Sequence, residues 1–162
     1  MDEIILRPIG FVHSPFQEQK GTPIQPRAAQ GVEGWVELLP EFEEGLKDLD
    51  GFDRVWLIYL FHKAGPARLT VRPYMDDASR GVFATRAPSR PNPLGLSCVR
   101  LLGREGGRLR IADVDILDGA PLLDIKPYAP QFDHYEASRV GWLENKNPAG
   151  ARADSRFSKE KE

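Results

Sequence analysis

Glycine and proline cut this chain into short apolar runs, and that punctuation restricts the fold more than any single motif does. The 162 residues include 15 glycines and 14 prolines. The most apolar stretch, RVWLIYLF at 54–61, has the length of a strand buried on both faces. Leu6 to His13 alternates weakly and stops at Ser14-Pro15, as an opening strand does. Trp35 to Leu39, Leu69 to Arg72, Gly95 to Leu102 and Arg108 to Ile116 read as further strands, and Gly141 to Leu143 as a short last one. Gly103 to Gly107 is a hairpin turn by its glycines. One helix is expected from Pro40, with Phe42, Leu46 and Leu49 at helical spacing, Glu41, Glu43 and Glu44 in its first turn, and Gly51 as its stop. Six or seven strands with one clear helix and no internal repeat argue for a mainly β barrel or sandwich, not alternating βα units.

A chain of this length makes about one domain. We expect that domain to occupy residues 1–146. From Asn147 the apolar content collapses, so residues 147–162 read as a disordered polar tail. Hydrophobic residues at 41% and charged residues at 28% are ordinary for a soluble globular protein. No apolar run approaches the ~18 residues a membrane span needs, and the N-terminus lacks a signal-peptide pattern. Cys98 is the single cysteine, which excludes an internal disulfide and a Cys-rich zinc site and suits a cytoplasmic protein. The three histidines, His13, His62 and His134, show no metal-ligand spacing, and no metal is expected.

Net charge is −2, but it is unevenly placed. Residues 1–53 carry 4 basic and 11 acidic side chains, residues 54–104 carry 9 and 2, and residues 105–162 carry 9 and 11. The middle block attracts phosphates if its arginines share a face; it is an ordinary solvated surface if they pair with the acidic N-terminal third.

Residues 17–34 form a long Gly-, Pro- and Gln-rich loop, and loops of that length in compact domains are usually functional. Two further segments stand out. In VFATRAPSRPNPLGLS at 82–97, three prolines and a glycine surround Arg86, Arg90 and Asn92. Proline fixes φ, so such a loop loses little entropy on binding a ligand. Pro91 and Pro93 exclude it from a central strand. In DVDILDGAPLLDIKPY at 113–128, Asp113 and Asp115 are expected on one strand face, Asp118-Gly119 marks a turn, and Asp124 and Lys126 form either an ion pair or a proton-handling pair. No G-x-G-x-x-G or G-x-x-x-x-G-K-[ST] appears, so neither a Rossmann nucleotide site nor a P-loop is supported.

TRAPSRPNPLGLS at 85–97 followed by DILDGAPLLDIKPY at 115–128 resembles the TrmO (TsaA-like) family. IGFVHSPF at 9–16, QPR at 25–27 and LIYLFHK at 57–63 match in the same order, so the resemblance covers about residues 5–130. One departure is Ala120, where the family commonly has Thr in DGTP. A second is that longer members carry an additional C-terminal domain, which this sequence does not show. The resemblance implies a single-sheeted β-barrel of six or seven strands with one or two short helices, a homodimer, and S-adenosyl-L-methionine as methyl donor. It implies methylation of the exocyclic N6 amine of threonylcarbamoyladenosine beside a tRNA anticodon.

Carried over by position, the implied cofactor contacts are Gln25, Pro26, Arg27, His62, Lys63, Arg86, Leu96, and the stretch Asp113, Val114, Asp115 and Ile116. Arg86 suits a carboxylate. A weak amine nucleophile benefits from a base, for which Asp124, Asp118 and His62 are the candidates. Arg90, Lys126 and the arginines of 68–80 are expected to meet tRNA phosphates, Asn92 to bind the substrate, and Tyr128 or Phe83 to stack on a base from a single-stranded loop. Two alternatives stay open: a module that binds the donor or a nucleotide without transfer, and a methyltransferase for a smaller substrate.

Overall fold

The computed structural model describes residues 3–159. Six strands close into one antiparallel barrel: β1 (Gly10–His13), β2 (Glu33–Leu38), β3 (Arg54–Leu60), β6 (Leu94–Glu105), β7 (Arg108–Ala112) and β8 (Ala120–Pro127), in the order β1-β2-β7-β6-β3-β8. The strands β4 (Thr70–Val71) and β5 (Arg80–Gly81) form a separate small hairpin. Closure satisfies the backbone of strands too short to make a stable open sheet and leaves no edge for aggregation.

The inward positions fill the barrel with Val12, Val36, Val55, Leu57, Val99, Leu109, Ile111 and Leu122, all fully buried. The pattern along β3 shows why: Val55, Leu57 and Tyr59 point in, while Arg54, Trp56, Ile58 and Leu60 lie half-buried outside. The sequence reading of a strand buried on both faces is therefore corrected, because a barrel supplies an interior on only one side. Gly95 is set by the same interior. A Cβ there would run into the Tyr59 ring across the β3–β6 ladder.

Four further expectations change. The helix from Pro40 is two 3₁₀ segments, Pro40–Leu46 and Leu49–Gly51, broken at Asp48, which adopts φ 67°. Gly141–Leu143 is a 3₁₀ turn, not a strand. The strand expected over 108–116 stops at Ala112, because Asp113 takes a left-handed φ of 66°. That kink ends the alternation, so Asp113 and Asp115 do not share a strand face.

The tail differs most. Ala151 to Lys159 docks on the barrel, with Arg152 bridged to Pro23 and Ser158 to Ala64. Phe157 is 3% exposed and packs with Val71, Val82, Ala87 and Tyr74 in a second small core. Burying that ring is worth about 2 kcal/mol, and backbone hydrogen bonds to Thr22, Ile24 and Gly65 add to it against the entropy of ordering the segment. Low average hydropathy hid that single anchor.

Candidate functional site

One mouth of the barrel collects the C-terminal ends of β1 and β3, the start of β6 and the β7–β8 loop, 113–119. The strand pairings force this, because Val12 pairs with Ala120 and Leu60 with Leu94. Four of the segments that carry the sequence motifs therefore meet in space.

A first group centres on Asp115. The Ser97 hydroxyl donates to Asp115 Oδ1 at 2.6 Å, and Tyr59 Oη lies 3.1 Å from Ser97 Oγ. Burial raises the Asp115 carboxyl to about 7, with the Ser97 hydrogen bond and the Arg86 charge opposing. Arg86 in turn donates through Nη1 to Gln25 Oε1 at 2.6 Å. The loop 17–34 and the proline-rich loop thus meet over the mouth, through the residues their motifs singled out.

A second group centres on Asp118. Its carboxylate accepts from the Ser14 backbone N–H at 3.1 Å and from Gln17 Nε2 at 3.3 Å, and lies 3.5 Å from His13 Nδ1. Burial pushes this carboxyl up, but the donors from Ser14, Gln17 and His13 outweigh it, and the net displacement is downward. Lys63 Nζ donates to the Gln17 carbonyl at 2.7 Å. His62 is held below its ordinary value by burial and by the Lys63 charge, with Asp118 acting in the opposite direction. Asp115 is therefore the carboxyl of the mouth that exchanges a proton near neutrality, while Asp118 is a fixed negative charge.

The remaining expected site residues fall elsewhere. Asp113 faces the outer wall, where Arg54 Nη2 at 3.2 Å, Arg100 Nε at 3.1 Å and the Gly31 N–H at 2.9 Å occupy it. Val114 and Ile116 are sealed in the core, which leaves only their backbone groups to meet a ligand. Asp124 pairs with Lys126 at 2.9 Å on the outside of β8, opposite the outward Ile58. That removes Asp124 from the mouth, and a half-exposed pair of this kind contributes little to stability. Leu96 points outward, since its neighbour Ser97 points in. Pro26 opens the 3₁₀ turn Pro26–Ala28 and Arg27 stands exposed on it. Arg90 donates to the Thr85 and Ala87 carbonyls, at 3.0 and 3.4 Å, and so braces its own loop. Asn92 is exposed at the tip of that loop, and Tyr128 lies 6.0 Å from Trp56 between ring centroids. Phe83 is 77% exposed.

Sequence reasoning missed Tyr59, Ser97, His13 and Gln17. The available signal was Ser97 itself, a hydroxyl at an inward strand position that needs a partner. Among the described residues no cluster of three His, Cys, Asp or Glu side chains could hold a metal ion, and no helix is long and apolar enough to cross a membrane.

The chain is 58% identical over 156 residues to a "Probable S-adenosyl-L-methionine-binding protein" of Pyrococcus abyssi, covering 95% of this chain and 85% of that one. It is 36% identical over 137 residues to the tRNA (adenine(37)-N6)-methyltransferase of Mus musculus, covering 80% of this chain but 32% of the mouse protein. The crystal structure of TrmO from Pseudomonas aeruginosa superposes with a TM-score of 0.72 at 43% identity, over 87% of this chain and 63% of that one. The chain therefore spans less than two thirds of that TrmO. With residues 11–134 matching the family described as tRNA-methyltransferase O N-terminal domain, and with the closed barrel agreeing with the TrmO structure, the chain belongs to that family.

Proposed function

We propose that the chain binds S-adenosyl-L-methionine at the barrel mouth and methylates the N6 amine of threonylcarbamoyladenosine beside a tRNA anticodon. The observation that carries this is the pairing, in one mouth, of a guanidinium held by Gln25 with a carboxyl held by Ser97. That donor set fits the cofactor. A guanidinium suits its carboxylate, and the Asp118 and Asp115 carboxylates suit its sulfonium and ribose. When bound, the cofactor supplies a methyl group on a positively charged sulfur.

The protein's part is alignment and proton handling. Gln25 orients Arg86, and Ser97 fixes one oxygen of Asp115, leaving the other to accept the proton lost by the attacking amine. The geometry supports Asp115 in this role over the expected Asp124, which faces outward, and over Asp118, whose proton affinity is low. His62, kept neutral at pH 7, borders the same mouth. Arg90 and Asn92 carry the substrate side of the proline-rich loop.

A homodimer belongs to this reading. The outer ladder of β3 and β6 sets Leu60 beside Leu94, Ile58 beside Leu96 and Trp56 beside Cys98, an apolar strip that a second copy would cover. Leu96 then serves the interface first.

The test is mass spectrometry of tRNA incubated with the protein and methyl-labelled cofactor. Label on the modified adenosine supports the reading. Cofactor binding without transfer to any tRNA supports a binding module instead.

A further inference from the structure

The docked tail creates a feature that the methyl-transfer chemistry does not use. Two clefts adjoin beside the mouth and share Ala64, Gly65 and Lys159. The larger, about 800 Å³, runs between Pro66 and Arg68 on one side and Ser155, Arg156 and Ser158 on the other. The smaller, about 300 Å³, is bordered by His62 and Arg90, with apolar walls from Leu60, Phe61, Pro91 and Pro93. Among the described residues, no carboxylate lines either one.

Arg156 is neutralised by Asp154 at 2.7 Å and is spent on the Pro73 carbonyl. Arg68, Arg90 and Lys159 are different. Arg90 donates only to carbonyls, which leave its charge uncompensated, and among the described residues no ion pair involves Arg68 or Lys159. The tail is held in register by Gly65 N–H to the Phe157 carbonyl at 2.8 Å and by Gln19 Nε2 to the same carbonyl at 3.1 Å. The wall is therefore built, not draped.

We propose that segment 155–159 completes a groove in which Arg68, Lys159 and Arg90 bind successive phosphates of single-stranded RNA, leading the strand to His62 at the barrel mouth. Three cations spread over two basins suit a chain of phosphates better than one enclosed anion. Apolar walls beside the innermost cation suit a sugar and base. The proposal rests on the reading of an RNA substrate and locates its path; it joins Arg68 and Arg90, already candidates for phosphate contact, to a tail for which the sequence reading gave no role.

The test uses the full chain and a fluorescein-labelled single-stranded RNA 12-mer of mixed sequence, titrated by anisotropy at several salt concentrations. Arg68→Ala and Lys159→Ala are each expected to weaken binding about three- to tenfold, alike for unrelated sequences, and to lower the log–log salt slope by about 0.7. Adenosylmethionine affinity should stay unchanged, and so should RNA binding by Arg139→Ala, an exposed cation outside the groove. Wild-type slopes in both groove variants overturn the groove and leave the methyltransferase reading intact. Full competition by inorganic phosphate at low millimolar concentration also overturns it, in favour of a single-anion site. Failure of the wild type to methylate tRNA refutes the substrate reading instead, and the 12-mer slopes still decide the groove.

Discussion

Replacing Asp115 with Asn separates what this carboxyl does for the fold from what it does for the chemistry. Its proton affinity is displaced from 3.8 to about 7 by burial. In the unfolded chain it titrates near 3.9. The folded state therefore holds the proton more tightly, and stability falls as pH rises from about 4 through 7. At 1.36 kcal/mol per pH unit, the full displacement is worth on the order of 4 kcal/mol at pH 8. Access of solvent to this half-buried group reduces the realised value to about 1–3 kcal/mol. Asn keeps an oxygen for the Ser97 hydroxyl and never ionises. The variant should lie within about 1 kcal/mol of the wild type in urea unfolding at pH 4.5, and its advantage should grow to about 1–3 kcal/mol at pH 8. Its single-turnover methyl transfer should lose the rise with pH that the wild type shows toward neutrality, with adenosylmethionine still bound. Parallel stability curves for the two proteins from pH 4.5 to 8 would refute the raised proton affinity. Undiminished transfer at saturating cofactor would refute the proton-acceptor role.

Arg86→Ala should weaken adenosylmethionine binding by about tenfold or more in calorimetry, since a charge-assisted contact to a carboxylate is worth about 1.5–3 kcal/mol; unchanged affinity removes the residue from the site. Asp113→Asn should lower stability by about 1–2 kcal/mol in chemical denaturation, because it uncouples Arg54 and Arg100 from a shared carboxylate, yet leave cofactor affinity alone. A matching loss of affinity would restore Asp113 to the site. Gly95→Ala should cost about 1–3 kcal/mol by overpacking against Tyr59, and a thermal midpoint equal to the wild type's would show that the ring moves freely aside.

Local patterns predicted the elements that depend on local physics. The β6–β7 hairpin was legible because Gly106, at φ 57°, provides the turn its flanking strands need. The strand over 54–61 was legible from its apolar run, but its division into inward Val55, Leu57 and Tyr59 and half-buried outward neighbours was not, because closure is a property of the whole sheet. The same division runs through the site. Gln25 and Arg86 were found from motifs 61 residues apart, and their hydrogen bond joins them directly. Asp113, expected on a strand face with Asp115, and Asp124, expected to pair with Lys126, were both site candidates, and neither carboxylate reaches the mouth. A left-handed residue at 113 and the outward phase of β8 decided their direction, and neither can be read from residue types alone.

The tail shows why composition misleads most where one contact decides. Averaged over 147–159 the segment is polar, and an averaged hydropathy describes its unfolded state well. Its folded state is decided by Phe157, whose pocket is built from Val71, Val82, Ala87 and Tyr74, residues 70 to 86 positions earlier in the chain. Once that ring is seated, backbone pairing follows at Ala64 and Pro23, and the Lys159 ammonium is delivered to the groove beside His62. The segment docks because the fold supplies an apolar recess for Phe157 together with backbone partners at Thr22, Ile24 and Gly65. The functional reading of its charges depends on that recess more than on the charges themselves.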